Sequence, residues 1–121
     1  MDLEQSEMLE LPEGKYKGQV QLSLKIPQGK GILNFKNGDK YEGMFDMGKP
    51  HGKGVLYFYS GDVYKGNMLR GFIEGEGEME YANGYHYIGS FLKNRKDGKG
   101  KLTDDRGFIK EGIWDEDKFI A

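Results

Sequence analysis

From Tyr16 onward the chain alternates: Tyr16, Gly18, Val20, Leu22, Leu24 and Ile26 share one parity, and Lys17, Gln19, Gln21, Ser23 and Lys25 share the other. A period of two belongs to a strand with one face buried, so this stretch predicts a strand. Pro27-Gln28-Gly29 predicts a turn, and Gly31, Leu33 and Phe35 carry the apolar parity into a second strand that ends at Asn37-Gly38, a strong hairpin signal. The pattern then recurs. Tyr41, Gly43 and Phe45 face Gly54, Leu56 and Phe58; Tyr64, Gly66 and Met68 face Gly77, Met79 and Tyr81; Tyr87, Gly89 and Phe91 face Gly100 and Leu102. Lys110, Gly112 and Trp114 begin a fifth unit, whose Asp115-Glu116-Asp117-Lys118 run would blunt an exposed sheet edge. Residues 3–11 lack the alternation, and Pro12-Glu13-Gly14 breaks the chain after them, which leaves room for a short helical turn.

The recurrence has a fixed period. Gly-x-Gly stands at Gly29/Gly31, Gly52/Gly54, Gly75/Gly77 and Gly98/Gly100, with a third glycine at Gly38, Gly61, Gly84 and Gly107, each series stepping by 23. The tyrosines Tyr16, Tyr41, Tyr64 and Tyr87 step by 25, 23 and 23, so only the first copy carries an insertion, and Lys110 takes the slot in the fifth. Self-similarity of this length marks a repeat array in which each unit buries its apolar side against its neighbours. The expected architecture is all-β: one elongated, twisted antiparallel meander of four hairpins, 16–40, 41–63, 64–86 and 87–109, plus a half repeat over 110–121. Each hairpin is expected to hold a turn of about six residues inside the unit and a tight turn at Ser60-Gly61, Asn83-Gly84 or Arg106-Gly107. Nine strands about 4.8 Å apart would make a body roughly 40 Å long.

Glycine weakens a strand unless something needs the space. Two glycines per unit share the face of the tyrosine, so the neighbouring ring is expected to lie across the gap, while the third supplies a positive φ at the turn. Composition agrees with a thin core. Only 36% of the 121 residues are hydrophobic and 31% are charged, and the 20 glycines are periodic and interleaved with eight tyrosines and seven phenylalanines, which disordered segments lack. Absence of cysteine removes disulfides and thiolate metal sites. No stretch approaches the roughly 20 apolar residues of a membrane span, and the expectation is a soluble, intracellular protein.

The net charge of −2 divides unevenly. Residues 1–14 hold Asp2, Glu4, Glu7, Glu10 and Glu13 and no base, so an acidic segment precedes a body, 15–121, in which 18 bases face 15 acids.

Candidate chemistry is sparse. Gly-Lys-Gly at 29–31, 52–54 and 98–100 is explained by the repeat, without the Gly-x-x-x-x-Gly-Lys-Ser/Thr spacing or following helix of a phosphate loop. His51 and His86 have no second ligand at metal spacing, and Glu76, Glu78 and Glu80 line one solvated strand face with nothing apolar to raise a carboxylate pKa. Neither catalysis, nor a cofactor, nor a metal, nor a small-molecule substrate is expected, and nucleic acid is not expected either because the aromatics sit where the repeat demands them.

At these residues the chain resembles the MORN-repeat family, whose unit is similar to Y-x-G-x-x-x-x-G-x-x-x-G-x-G followed by a turn glycine. Tyr41, Gly43, Gly48, Gly52, Gly54 and Gly61 follow it almost fully, as do Tyr64, Gly66, Gly71, Gly75, Gly77 and Gly84. The fourth copy has Asn94 at the mid-unit glycine, and the first departs most. The resemblance implies a non-catalytic scaffold or adaptor within a larger assembly, with a cytoskeletal or ciliary setting by similarity to MORN-only proteins. It also leaves open a peripheral membrane adaptor or an accessory subunit of an enzyme complex.

Three surfaces are candidate sites. The first is the aromatic-glycine face, with Tyr16, Phe35, Tyr41, Phe45, Phe58, Tyr64, Tyr81, Tyr87, Phe91 and Trp114 as a groove for an extended or helical partner segment. The second is the opposite parity of the second unit, where Val55, Tyr57 and Tyr59 stand in place of polar residues. Either a partner covers them or the N-terminal segment folds back over them through Met8, Leu9 and Leu11. The third is basic: Lys93, Arg95, Lys96, Lys99 and Lys101, opposed within the run by Asp97, could meet an anionic lipid surface.

Overall fold

The computed structural model describes residues 3–6 and 8–121. Among these it contains twelve strands and no helix: Leu3–Gln5 (β1), Leu9–Leu11 (β2), Gly14–Gln21 (β3), Pro27–Phe35 (β4), Lys40–Asp46 (β5), Lys49–Tyr57 (β6), Val63–Leu69 (β7), Phe72–Glu80 (β8), His86–Leu92 (β9), Arg95–Thr103 (β10), Ile109–Asp115 (β11) and Lys118–Phe119 (β12). From β3 onward each strand pairs antiparallel with the next, giving one open sheet, the expected meander.

Register follows the glycines. Gly18 faces Gly31, which faces Gly43, then Gly54, Gly66, Gly77, Gly89, Gly100 and Gly112. Nine consecutive strands thus contribute one glycine each to a lane crossing the sheet. On one side of the lane lie the tyrosines: a methyl group at Gly31, Gly54, Gly77 or Gly100 would overlap the ring of Tyr16, Tyr41, Tyr64 or Tyr87 respectively. The expected ring over the gap is what the structure shows, and all four rings are fully buried.

Larger side chains interleave with these rings. Phe45 stands edge-on to Tyr16 and Tyr41 (centroids 4.9 and 5.2 Å), Phe91 to Tyr64 and Tyr87 (5.2 and 5.1 Å), and Trp114 to Tyr87 (5.6 Å). Edge-to-face pairs add about 0.5–1.5 kcal/mol each beyond burial, so the ladder gives a single layer its core. Met68 fills the corresponding place in the third unit and is buried.

Two expectations about turns are corrected. The link inside each unit is a two-residue turn, Met47-Gly48, Arg70-Gly71 or Lys93-Asn94, with positive φ at both residues (48 and 87°, 47 and 90°, 46 and 72°). These are the conformations that hairpins with right-handed twist require, and Asn94 tolerates one where the other units have glycine. The residues that read as a wide turn instead belong to a bulge: Phe45 faces Pro50 while Gly43 faces Gly54, so the second strand spends two extra residues. The return turns, with Gly38, Gly61, Gly84 and Gly107 at φ 90–99°, are the longer ones. In the first unit the strand stops at Gln21, and Leu22 and Leu24, expected inside it, are exposed in the turn. Pro27 begins β4 opposite Val20, so the insertion loops out before Pro27 and leaves the glycine register intact.

Each turn is also tied to the unit before it. The amides of Gly48, Gly71, Asn94 and Asp117 donate to the carbonyls of Pro27, Pro50, Ile73 and Lys96 at 2.8–2.9 Å. One residue earlier in each turn, the amides of Met47, Arg70, Lys93 and Glu116 donate to side chains spaced by 23: Gln28 Oε1 (2.9 Å), His51 Nδ1 (3.2 Å), Glu74 Oε1 (3.4 Å) and Asp97 Oδ2 (3.2 Å). A polar acceptor at this slot fixes the stacking of successive units.

Both ends differ from expectation. Residues 3–5 and 9–11 are strands, not a helical turn: β1 pairs with Gln19–Gln21 and β2 with Gly14–Tyr16, along the free edge of β3. The unpaired amides and carbonyls of that edge offer these short segments bonds that one turn of helix could not match. Leu9 and Leu11 pack on the core beside Tyr16, so this segment does not cover Val55, Tyr57 and Tyr59. Of the acidic segment, Asp2 and Glu7 lie outside the described residues, and Glu4 pairs with Lys25. At the other end Glu116-Asp117 form the turn joining β11 to β12 rather than a charged edge.

Candidate interaction groove

The aromatic-glycine face is closed by its own side chains. Tyr16, Tyr41, Tyr64, Tyr87, Phe45, Phe91 and Trp114 are buried, and Phe35, Phe58 and Tyr81 pack partly buried against them. Each tyrosine hydroxyl also donates to a carbonyl three residues on: Gln19, Met44 (2.9 Å), Asn67 (2.7 Å) and Ser90 (3.0 Å). Burial pushes all four phenols up to about 12. The expected docking groove on this face is therefore corrected: seven of its ten residues are buried core, the other three pack on that core, and the hydroxyls of Tyr16, Tyr41, Tyr64 and Tyr87 are already bonded.

Across the sheet the same glycines form the floor of an open groove. Three depressions of about 710, 690 and 480 Å³ run end to end, the first two sharing Lys53 and the last two sharing Ile88. Because the floor residues carry no side chain, the walls come from their neighbours of opposite parity. One wall runs Lys17, Ile32, Glu42, Val55, Lys65, Glu78, Ile88, Lys101 and Glu111 in direct cross-strand register. The other holds Lys30, Met44, Lys53, Asn67, Glu76, Lys99 and Ile113. Ile32, Met44, Ile88 and Ile113 are each 37–43% exposed, which leaves apolar area in the groove without cover.

Of the second candidate surface, Val55 is a groove wall residue. Tyr57 lies beyond the groove under the ammonium of Lys40 (4.8 Å to its centroid), and Tyr59 is 83% exposed in the return turn with its ring against Gly38. The apolar positions that sequence reading passed over were Ile32, Ile88 and Ile113. They share the parity of Val55 in the other units, and a unit-by-unit comparison of that parity would have found them.

The basic run does not form one patch, because β10 alternates. Lys99 and Lys101 line the groove, whereas Lys96 points to the core side, where its ammonium sits 5.4 Å from Trp114, 5.5 Å from Tyr81 and 5.8 Å from Tyr87 and 3.5 Å from Asp117. Lys93 and Arg95 are at the hairpin tip, Arg95 within 3.9 Å of Glu116. Their neighbours along that long edge are apolar and exposed: Met47, Leu69, Phe72 and Leu92. Among the described residues no three histidines, cysteines or carboxylates converge as metal ligands, and no helix is long and apolar enough to cross a membrane.

Comparison with curated proteins returns no match. The family model for the MORN repeat matches four times, over residues 23–40, 41–63, 64–84 and 87–107, each match holding one of the return-turn glycines Gly38, Gly61, Gly84 and Gly107. The first match begins after β3, in the unit whose turn is enlarged. With tyrosine, glycine pair and hairpin in register through the sheet, and the family model covering most of the chain, the protein belongs to the MORN-repeat family.

Proposed function

We propose that the protein is a non-catalytic scaffold that docks a partner protein in the glycine-floored groove, within a larger assembly of cytoskeletal or ciliary type. MORN repeats generally mediate protein–protein or membrane–lipid interactions, and the family is typically a non-enzymatic scaffold. The observation that carries the reading is the asymmetry of the sheet: the aromatic side is filled, and the other side is a continuous groove with exposed Ile32, Met44, Ile88 and Ile113 and half-buried Val55. The test is a quantitative pull-down from native extract with wild-type protein and a Val55→Asp, Ile88→Asp variant, together with the location of tagged protein. The variant should fold with stability within about 1 kcal/mol, since neither side chain is core, yet lose the partners that wild type enriches. If it retains them all, the groove is not the docking site; a tagged protein spread evenly through the cell would count against the cytoskeletal or ciliary setting. An accessory role in an enzyme complex would show as co-purification with one stoichiometric enzyme.

A second reading has its own observation. Met47, Leu69, Phe72 and Leu92 project from successive hairpin tips beside Lys49, Arg70, Lys93 and Arg95, and apolar tips flanked by bases suit an anionic bilayer, where each base adds about 1 kcal/mol. This edge takes the place of the 93–101 run as the lipid-facing surface. Co-sedimentation with phosphatidylserine vesicles should be lost in Phe72→Ser, Lys93→Glu and unchanged in Lys99→Glu, Lys101→Glu; the reverse pattern would return the site to the groove face.

A further inference from the structure

Resting on the groove reading, the wall residues say what kind of segment would lie there. The groove crosses the strands at right angles, and its floor strands have already committed their amides and carbonyls to the ladder on both sides. A partner therefore cannot add as a strand, and recognition falls to side chains meeting side chains. A helix fits the spacing: its pitch of about 5.4 Å is close to the roughly 4.8 Å between strands, so each turn meets about one strand.

Charge along the groove is ordered in three zones. The β3–β7 end holds Lys17, Lys30, Lys53 and Lys65 against the one carboxylate of Glu42, itself 3.1 Å from Lys40. The middle, on β8, holds Glu76 and Glu78. The β10–β11 end holds Lys99 and Lys101 with Glu111. Among the described residues none of these six lysines is in an ion pair. Apolar wall residues flank the carboxylates: Ile32, Met44 and Val55 lie in the first zone, Ile113 in the last, and Ile88 on β9 between Glu78 and Lys101, while β8 itself has none.

We infer that the groove takes an amphipathic helix whose charge runs acidic, basic, acidic, with aliphatic residues at its two acidic ends. Strand spacing sets the intervals. From the centre of the first zone on β5 to the carboxylates on β8 is three strand steps, about 14 Å, or roughly nine to ten helical residues; from β8 to β10 is two steps, about 10 Å, or roughly six to seven. Such ordering fixes the register of the bound segment, because sliding it by one zone sets like charges opposite one another, and the unequal intervals of three and two strand steps favour one direction.

The probes are two synthetic helical peptides of about 24 residues with the same composition, one with charges in acidic–basic–acidic blocks at these intervals and one with the same charges interleaved, both with leucines on one face. Fluorescence anisotropy against the full chain should give at least about tenfold tighter binding of the blocked peptide at low salt, shrinking as salt is added. The Glu76→Lys, Glu78→Lys variant should lose that preference. Equal affinities for both peptides in wild type overturn the charge order. If Val55→Asp, Ile88→Asp then weakens both alike, the groove remains the docking site, whereas if it weakens neither, that reading falls too. Failure of both peptides to bind overturns the inference. Light scattering that shows wild-type dimers abolished by Val55→Asp, Ile88→Asp would make the occupant a second copy of this chain and likewise overturn it.

Discussion

The two faces of the sheet share one lane of glycines and use it in opposite ways. On the tyrosine side the missing side chains are replaced by the protein's own rings, repeated at the same place in four units. On the groove side the floor stays bare and the walls differ from unit to unit: Ile32 and Met44 in the first two, Asn67 and Glu76 in the third, Ile88 and Lys99 in the fourth. What repeats builds the fold, and what varies is left for recognition. Substitutions should therefore divide by face.

The largest effect is expected where glycine and ring meet. Gly77→Ala places a methyl in the Tyr64 ring on an interior strand, and should cost about 3 kcal/mol, the upper end of what overpacking usually costs. Tyr64→Ala should cost about 3–5 kcal/mol through the cavity and the lost bond to the Asn67 carbonyl. The double variant sharpens the point. With the ring gone the methyl has room, so urea denaturation should find a combined cost well below the sum. An additive result would mean that Gly77 is needed for something other than the ring.

Next comes alkali. The phenols of Tyr16, Tyr41, Tyr64 and Tyr87 are raised from 10.0 to about 12 by burial, so the folded state holds their protons more tightly than the unfolded chain. A raised folded-state pKa gives stability that is whole below pH 10 and lost as pH rises toward 12, at roughly 1.4 kcal/mol per unit for each tyrosine. Thermal melts at stepped pH should show a plateau to about pH 10 and then a steep fall.

Much of this division was readable in the chain, and the unread parts share a cause. The strict alternation of tyrosine, glycine and phenylalanine is local, so strand faces and the ring over the gap followed from it. Turn types did not, because the bulge that turns six residues into a two-residue turn depends on Phe45 pairing with Pro50 across strands. β1 and β2 were missed for the same reason: Leu9–Leu11 has little to say until the bare edge of β3 lies beside it. The aromatic groove was misplaced because alternation tells which residues share a face but not whether that face is already full.

Lys96 crosses the division, being a base on the closed side. It stands where the earlier units have Pro27, Pro50 and Ile73, all buried, and its ammonium is held among Tyr81, Tyr87 and Trp114 with Asp117 beside it. Lys96→Ile should restore the pattern of the other units and change stability by less than about 1 kcal/mol, because apolar replacement of a partly buried ion is often neutral. Lys96→Glu should cost about 2 kcal/mol, since it sets a carboxylate against ring faces and Asp117. Equal melting temperatures for the two variants would show that the cage does not read charge.

The smallest effect is expected at Tyr59, the most exposed of the apolar positions first marked for attention. Its ring touches Gly38 in the preceding return turn, but with 83% of the residue exposed, little water is excluded by that contact. Its backbone amide, not its side chain, makes the bond to Asp39 that stacks the two turns (2.8 Å), and serine keeps that amide. Tyr59→Ser should thus shift stability by no more than about 0.5 kcal/mol. The same change should leave peptide binding in the groove intact, since Tyr59 is not among the walls. A loss of binding with unchanged stability would extend the recognition surface from the groove onto the return-turn edge, and the bare face would then be wider than its glycine floor.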